Sequence, residues 1–208
     1  MFKFIDVEQN TDEWFGLRAG KLTSSKMGCI MANYGKAFGE PAKKYAVNIA
    51  IEQITGNPIA STFSNEHMER GHEQEPIARM LYERETFCTV SNGGFFESDF
   101  IGCSPDGLVN RAGVIEIKSV IAPVHFASIK RDTVDPSYKW QCIANLKFTG
   151  RDWIDFVSFC ADFPAGKQLF IHRMFRTEYT EEFEMLDERI ESFKDMVDKT
   201  RLMILNSK

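Results

Sequence analysis

Three charged residues in the middle of the chain have the types and the spacing of a site for metal-assisted phosphodiester hydrolysis. Asp106 is followed by nine residues, then by Glu116, one isoleucine and Lys118. Mg²⁺ prefers oxygen ligands and usually binds one or two carboxylates together with water and substrate phosphate oxygens. A lysine beside such a site can orient or deprotonate the attacking water, or offset the charge that builds on the phosphate.

The local pattern predicts how these three groups are held. Residues 114–120 alternate between two sets of side chains, which is typical of a strand. Glu116 and Lys118 therefore point to one face, and the isoleucines around them point to the other. Asp106 lies within a Pro-Asp-Gly turn. We therefore expect residues 100–119 to form a bent, hairpin-like unit with Asp106 at the bend.

An ordinary explanation of the same pattern is a solvated strand face with an incidental ion pair, since Asp, Glu and Lys are common residues. Glu116 and Lys118, however, stand within an otherwise apolar strand. Charges in such a position are costly unless they are paired or bind a metal ion. This context favours the metal site.

A further carboxylate is available from residues 64–86, which are predicted to form a long charged helix. Glu75 directly precedes Pro76, where we expect the helix to bend or restart, so that its side chain would project into a cleft. A solvated glutamate is the alternative. His72 is another candidate ligand nearby, although the second histidine of the zinc-protease motif is missing.

Near the N-terminus, a second group of polar residues is suited to binding an anion. A short helix is predicted to begin at Thr11 or Asp12, to carry Arg18 and to end at Gly20. The hydroxyl residues 23–25 precede the next helix, where free backbone amides favour negative charge. Arg18 could reach the same anion. The alternative is simple capping of that helix by one of the hydroxyls.

The remaining pattern predicts an α/β fold: a central mixed β-sheet flanked by helices, with an N-terminal helical elaboration. We expect one domain over residues 1–208, with 1–86 mainly helical, 87–177 forming the sheet core with inserted helices, and 178–208 forming a C-terminal helix. The predicted elements of the second half are helices at 122–130, 135–148 and 178–205, and strands at 153–160 and 168–175.

Composition narrows the class of protein. The formal net charge is −5, which is unsuited to binding DNA over the whole surface, so any nucleic-acid contact must be local. The five cysteines are scattered and form no Cys-x-x-Cys pair, which argues against a zinc site, an iron–sulfur site and a disulfide framework. No apolar run is long enough for a membrane span, and no signal peptide is evident, so we expect a cytoplasmic protein.

Taken together, these residues resemble the PD-(D/E)xK nucleases, whose fold has a restriction-endonuclease-like core. Within that superfamily they resemble the phage lambda exonuclease or YqaJ-like viral recombinase family, and the resemblance covers most of the chain. The segments that carry it occur in the family's order: residues 14–18 (WFGLR) with Gly20, 23–25 (TSS), 70–75 (RGHEQE), 103–108 (CSPDGL), 116–118 (EIK) and 138–141 (YKWQ).

The resemblance implies a role for each matching residue. Lys118 is implied to be the catalytic lysine, and Gln141 is implied to position the nucleophile or the substrate. The implied metal ligands are Asp106, Glu116, the backbone carbonyl of Ile117 and, in an outer or water-mediated position, Glu75. The residues implied to hold a 5′-phosphate are Arg18, Ser25 and Ser104. Met68 falls where the family places an apolar wedge that parts the first base pairs.

The resemblance also implies an activity: a Mg²⁺-dependent 5′ to 3′ exonuclease that digests the 5′-ended strand of linear double-stranded DNA to mononucleotides. Mn²⁺ is expected to substitute for Mg²⁺, with two ions present during catalysis. A homotrimeric ring is implied to encircle the duplex and to pass the 3′ overhang to a single-strand annealing protein for DNA recombination. Such a protein would be phage- or prophage-encoded and would act in the bacterial cytoplasm.

Two other functions fit parts of the pattern. The first keeps the fold but makes the protein a structure-specific or restriction-type endonuclease. The second is a protein that binds DNA ends without cutting them, using Arg18 and the predicted C-terminal helix. The retained Glu116 and Lys118 argue against this second possibility.

Overall fold

The computed structural model describes residues 2–59 and 66–207 and has a mixed α/β architecture. The helices in this part of the chain are α1 (Asp12–Arg18), α2 (Met27–Met31), α3 (Glu40–Thr55), α4 (Glu66–Thr86), α5 (Ala122–Arg131), α6 (Pro136–Thr149) and α7 (Thr180–Leu205). The strands are β1 (Lys3–Ile5), β2 (Leu22–Thr23), β3 (Val90–Ser91), β4 (Phe95–Glu97), β5 (Ile101–Cys103), β6 (Gly107–Val109), β7 (Gly113–Ser119), β8 (Trp153–Phe159) and β9 (Leu169–Phe175).

The strands form two sheets. One has the order β1-β4-β5-β2 and the other has the order β3-β6-β7-β8-β9. In the second sheet β7 pairs antiparallel with β6 and parallel with β8, so the sheet is mixed as predicted. The chain crosses from the first sheet to the second between β5 and β6, at residues 104–106. Because Pro105 has no backbone N–H to donate to a ladder, the sheet is interrupted where Asp106 was expected to bend the chain.

The five-stranded sheet is covered on both faces. Alternate residues of β7 enter two different cores, since successive side chains of a strand point to opposite faces. Val114 packs in the larger core, which includes residues of α3, α6 and α7. Ile115 and Ile117 pack in a smaller core against Ala78 and Tyr82 of α4. Consequently α4 and α6 hold β7 from opposite sides, and the α/β fold class is confirmed.

The structure corrects one detail of α4. The helix continues through Pro76, so it does not restart at this residue. On this helix Ile77 and Met80 are exposed, whereas Ala78 and Tyr82 are buried. Burial of these two residues against the sheet outweighs the one backbone hydrogen bond that proline removes.

Several helix ends are capped by a side chain or by glycine, and the cap of α1 is as predicted. The Thr11 hydroxyl accepts a hydrogen bond from the Trp14 backbone N–H at the start of α1, and Asp135 does the same for Ser137 at the start of α6. α3 ends at Gly56 in the left-handed conformation. Among the described helices, none combines the length and the apolar character that a membrane span requires.

Candidate active site

The predicted acidic and basic residues converge on one cleft. A cavity of about 730 Å³ lies between the first turns of α4, the end of β7 and the start of α5. Asp106, Lys118 and Glu75 line it, together with Ile117 and Ser25. The bend after β5 places Asp106 beside β7, and packing of α4 on the sheet adds Glu75.

Glu116 lies behind the cavity wall and is held by three donors. Its Oε1 accepts hydrogen bonds from Lys118 Nζ at 2.6 Å and from Gln141 Nε2 at 2.5 Å. Its Oε2 accepts a hydrogen bond from Asn145 Nδ2 at 2.7 Å. The Glu116 side chain is only 1% exposed, so these bonds determine its orientation.

Asp106 is fixed by its own backbone as well as by its carboxylate. Its N–H donates to the Ile115 carbonyl at 3.1 Å, and its Oδ2 accepts from the Ile117 N–H at 2.6 Å. The Asp106 carbonyl accepts a hydrogen bond from Arg79 on α4. The turn is therefore tied both to β7 and to the helix that carries Glu75.

Glu75 approaches from α4 with a partly exposed side chain. One of its oxygens lies 3.5 Å from Arg79 Nη2. His72, one turn earlier, lines the same cavity, and its Nδ1 lies 3.5 Å from Asn10 Nδ2. Glu75 thus shares the cavity with Asp106 without a restart of the helix at the following proline.

The electrostatics of the cleft are those of crowded carboxylates. Burial, reinforced by the nearby Asp106 charge, raises the pKa of Glu116 to about 8 and that of Glu75 to about 7. Burial also raises the pKa of Asp106. Burial lowers the pKa of Lys118, but Glu116 and Asp106 outweigh this effect and raise it above the ordinary value. Lys118 is therefore a cation. Its single positive charge does not offset the repulsion among three ionised carboxylates, so they do not ionise together easily.

A hard divalent cation fits this donor set. Asp106, Glu116 and Glu75 provide carboxylates, and a bound cation would favour their ionised forms. Among the side chains that the structure describes, those of residues 2–59 and 70–207, no cluster of three or more His, Cys, Asp or Glu could hold a metal ion by itself. A cation here would complete its shell with backbone carbonyl, water and substrate oxygens, which is the usual arrangement for Mg²⁺.

The residues predicted to hold a phosphate are only partly brought together. Ser104 Oγ accepts a hydrogen bond from Trp14 Nε1 at 2.8 Å, and the Arg18 guanidinium lies 4.0 Å from the centre of the Trp14 ring. Trp14 therefore links Arg18 to Ser104. Ser25 lies on the side of the main cavity and contacts Thr23 Oγ1 at 3.3 Å, whereas Arg18 and Thr23 line a neighbouring cavity of about 670 Å³.

Arg18 is a cation without a strong internal partner. Burial lowers its pKa. In the described part of the chain its guanidinium contacts the Trp14 ring but forms no hydrogen bond or ion pair. Met68, the predicted wedge, belongs to the first turn of α4, and its side chain lies outside the described residues.

Two residues of this site were absent from the sequence prediction. Asn145 follows Gln141 by four residues on α6, so both amides face Glu116. The helical spacing could have revealed it. Arg79 gave no such signal, because its partner is a backbone carbonyl, which residue types cannot show.

Comparison with solved structures identifies close matches to this architecture. The alkaline exonuclease LHK-Exo from Laribacter hongkongensis matches with a TM-score of 0.78 and 29% identity, over 94% of this chain and 98% of that one. The same protein in complex with dAMP gives a TM-score of 0.79, 30% identity and the same coverage. A phage-related exonuclease from Haemophilus somnus 129PT shares the fold at a TM-score of 0.65 and 17% identity, over 90% of this chain and 96% of that one.

No curated protein sequence matches the chain significantly. The model of the YqaJ-like viral recombinase domain matches residues 13–152, a range that contains α1 from its second residue, the Asp106 turn, β7 and Gln141. That range is more than half of the chain. It includes the acidic cleft, formed by Asp106, Glu116, Glu75 and Lys118, and the Arg18 region, formed by Arg18, Trp14 and Ser104. The chain therefore belongs to the YqaJ-like viral recombinase domain family.

Proposed function

We propose that this protein is a Mg²⁺-dependent exonuclease that digests the 5′-ended strand of linear double-stranded DNA to mononucleotides. The observation that carries the proposal is the convergence of Asp106, Glu116, Glu75 and Lys118 on one cleft beside the Arg18 region. The family and the likeness to an alkaline exonuclease support a DNA exonuclease.

In this proposal Asp106, Glu116 and the Ile117 carbonyl hold the metal ion, and Glu75 binds in an outer or water-mediated position. A bound Mg²⁺, or Mn²⁺ in its place, supplies positive charge to the phosphate oxygens and activates water. The family resemblance implies room for two ions during catalysis.

The protein's own residues have separate tasks. Lys118 provides a fixed positive charge where negative charge builds on the phosphate, and its 2.6 Å bond to Glu116 holds it in place. Gln141 donates to the same Glu116 oxygen and is positioned to orient the nucleophile or the substrate. Lys118 can thus offset charge on the phosphate or orient the attacking water.

The preference for an end comes from the second group of residues. Arg18 provides a positive charge that has no ion-pair partner among the residues that the structure describes. Ser104 lies two residues before Asp106 on the same turn. A 5′-phosphate held by Arg18, Ser25 and Ser104 would thus stand at a set distance from the metal ligands. Local positive charge of this kind is compatible with the net charge of −5.

The proposal extends to assembly. A homotrimeric ring around the duplex, and a single-strand annealing protein that receives the 3′ overhang, are expected from the family resemblance. The protein would then act in the cytoplasm of a bacterial cell that carries the phage or prophage. Light scattering of the purified protein tests the trimer, and a monomer at all concentrations would contradict it.

Digestion of end-labelled linear duplex DNA tests the activity. We expect release of labelled mononucleotides from 5′ ends in the presence of Mg²⁺, and loss of that release in Lys118→Ala. Preferential attack at 3′ ends, or undiminished hydrolysis by the variant, would contradict the proposal. Covalently closed circular DNA provides the matched control, because cutting of circles at the rate seen on linear ends would indicate an endonuclease.

A further inference from the structure

Arg79 contacts two acidic residues of the cleft at once, although it lies outside every motif of the sequence. Its Nη2 donates to the backbone carbonyl of Asp106 and lies 3.5 Å from Glu75 Oε1. Glu75 precedes it by four residues on α4, so the helix itself sets their spacing. One guanidinium therefore joins α4 to the turn that carries Asp106.

The turn that carries Asp106 is also restrained by contacts with other parts of the chain. Pro105, whose carbonyl precedes the Asp106 N–H, accepts a hydrogen bond from Gln9 Nε2 at 2.8 Å. A Cβ atom at Gly93 would lie 1.7 Å from the same carbonyl oxygen, so only glycine permits this close approach. The Asp106 N–H and Oδ2 are bonded to β7. Arg79 provides the remaining restraint, on the side of α4.

We propose that Arg79 is a positioning residue that holds Asp106 and Glu75 at the separation required by a divalent cation. It acts through the Asp106 carbonyl and the Glu75 carboxylate, and it touches neither the metal ion nor the DNA. This inference rests on the proposed function. Arginine suits the task because the N–H groups of Nη2 lie in the guanidinium plane and point in set directions, whereas a lysine ammonium is a compact charge on a flexible chain.

Mn²⁺ binding to the full-length protein without DNA tests the inference, with free Mn²⁺ measured by electron paramagnetic resonance. We expect Arg79→Met to raise the apparent Kd by about 10- to 100-fold, the usual effect of removing a group that orients a ligand. Arg79→Lys should raise it less, since the charge beside Glu75 is kept. Arg84→Met is the matched control, because Arg84 is an exposed arginine of the same helix, and its Kd should equal that of wild type.

Kinetics separate positioning from DNA contact. At fixed Mn²⁺, Arg79→Met should lower kcat with an unchanged KM for duplex DNA, and added Mn²⁺ should restore part of the loss. If Arg79→Met does not fold, Arg79→Lys and Gln9→Ala serve instead, since each removes one restraint on the same turn.

The outcomes distinguish this inference from the proposed function. Wild-type protein that neither binds Mn²⁺ nor degrades DNA would overturn the proposed function and this inference with it. Wild-type protein that does both, with Mn²⁺ affinity unchanged in Arg79→Met, would overturn only the positioning role. A rise in KM at unchanged Mn²⁺ affinity would likewise overturn it, and would make Arg79 a DNA contact.

Discussion

Asn145 and Glu116 form a buried pair in which the amide donates to Glu116 Oε2 at 2.7 Å. The other amide atom, Asn145 Oδ1, is buried and has no hydrogen-bond partner among the described residues. The unsatisfied acceptor costs stability, whereas the donor helps to orient Glu116. The pair therefore assigns Asn145 a part in positioning Glu116.

Replacing this amide tests its role. Asn145→Ala is expected to lower nuclease activity by about 10- to 100-fold, since Glu116 loses one of the bonds that orient it. Asn145→Asp should lower activity further, because it places another carboxylate beside Glu116 in a buried site. Initial rates on linear duplex DNA with saturating Mg²⁺ provide the measurement. Equal activity of the two variants would show that charge beside Glu116 has no effect.

Arg18 provides a second prediction, on the chemistry of the DNA end. In Arg18→Met, the preference for a 5′-phosphate over a 5′-hydroxyl should fall at least about tenfold, since hydrogen bonds to charged groups contribute about 1.5–3 kcal/mol. Competition between the two labelled substrates measures this ratio. Arg84→Met should keep the wild-type preference. An unchanged ratio in Arg18→Met would place the phosphate contact elsewhere.

Arg189 provides a prediction on stability. This buried side chain on α7 donates to the carbonyls of Ile30 at 2.6 Å, Lys36 at 2.9 Å and Ala32 at 3.3 Å. Arg189→Met leaves these carbonyls without their donor, so we expect a loss of at least about 2 kcal/mol in the free energy of unfolding. Urea denaturation measures it.

The control for this prediction is Lys194→Met, which removes an exposed ion pair on the same helix. Its unfolding midpoint should stay close to that of wild type, since surface ion pairs contribute little. An equal shift in both variants would contradict a specific role for Arg189.

His125 provides a prediction on pH. It is buried on α5, with Nδ1 at 2.8 Å from Ser158 Oγ and Nε2 at 3.2 Å from the Lys167 carbonyl, and burial lowers its pKa below 6.5. Because the unfolded state binds the proton more readily, the contribution of His125 to stability is complete above pH 6.5. It is lost as the pH falls from there towards the lowered folded value.

Unfolding midpoints measured one unit above and one unit below about pH 6.5 test this prediction. Wild type should lose more stability between the two pH values than His125→Gln, which cannot take up a proton. An equal loss in both proteins would assign the pH dependence to other groups.

Much of this architecture could be predicted from local patterns. The alternation around Glu116 and Lys118 predicted their shared face, and the structure places their charged atoms 2.6 Å apart. A capping residue likewise predicted the start of α1. These features depend on residues close together in the sequence, whose geometry is set by the strand and helix periods.

Other features depended on tertiary contacts. The buried face of α4 depends on where the helix meets the sheet, which places Ala78 and Tyr82 inside and leaves Ile77 and Met80 exposed. The division into two sheets was missed because it depends on how Pro105 packs against distant loops. Arg79 was missed because it binds a main-chain atom. In each case the deciding partner is remote in sequence, and residue types alone do not identify it.

The interruption between β5 and β6 has a consequence for folding cooperativity. The chain passes from one sheet to the other at the turn that carries Asp106. Gln9, which follows β1 of the first sheet, and Arg79 of α4, which packs on the second sheet, both donate hydrogen bonds to carbonyls of this turn. Separation of the two sheets would break the bond from Gln9 to the Pro105 carbonyl, while the bonds from Asp106 to β7 and to Arg79 could persist. Partly unfolded protein of this kind should therefore hold Asp106 less firmly and have lower activity than the native form.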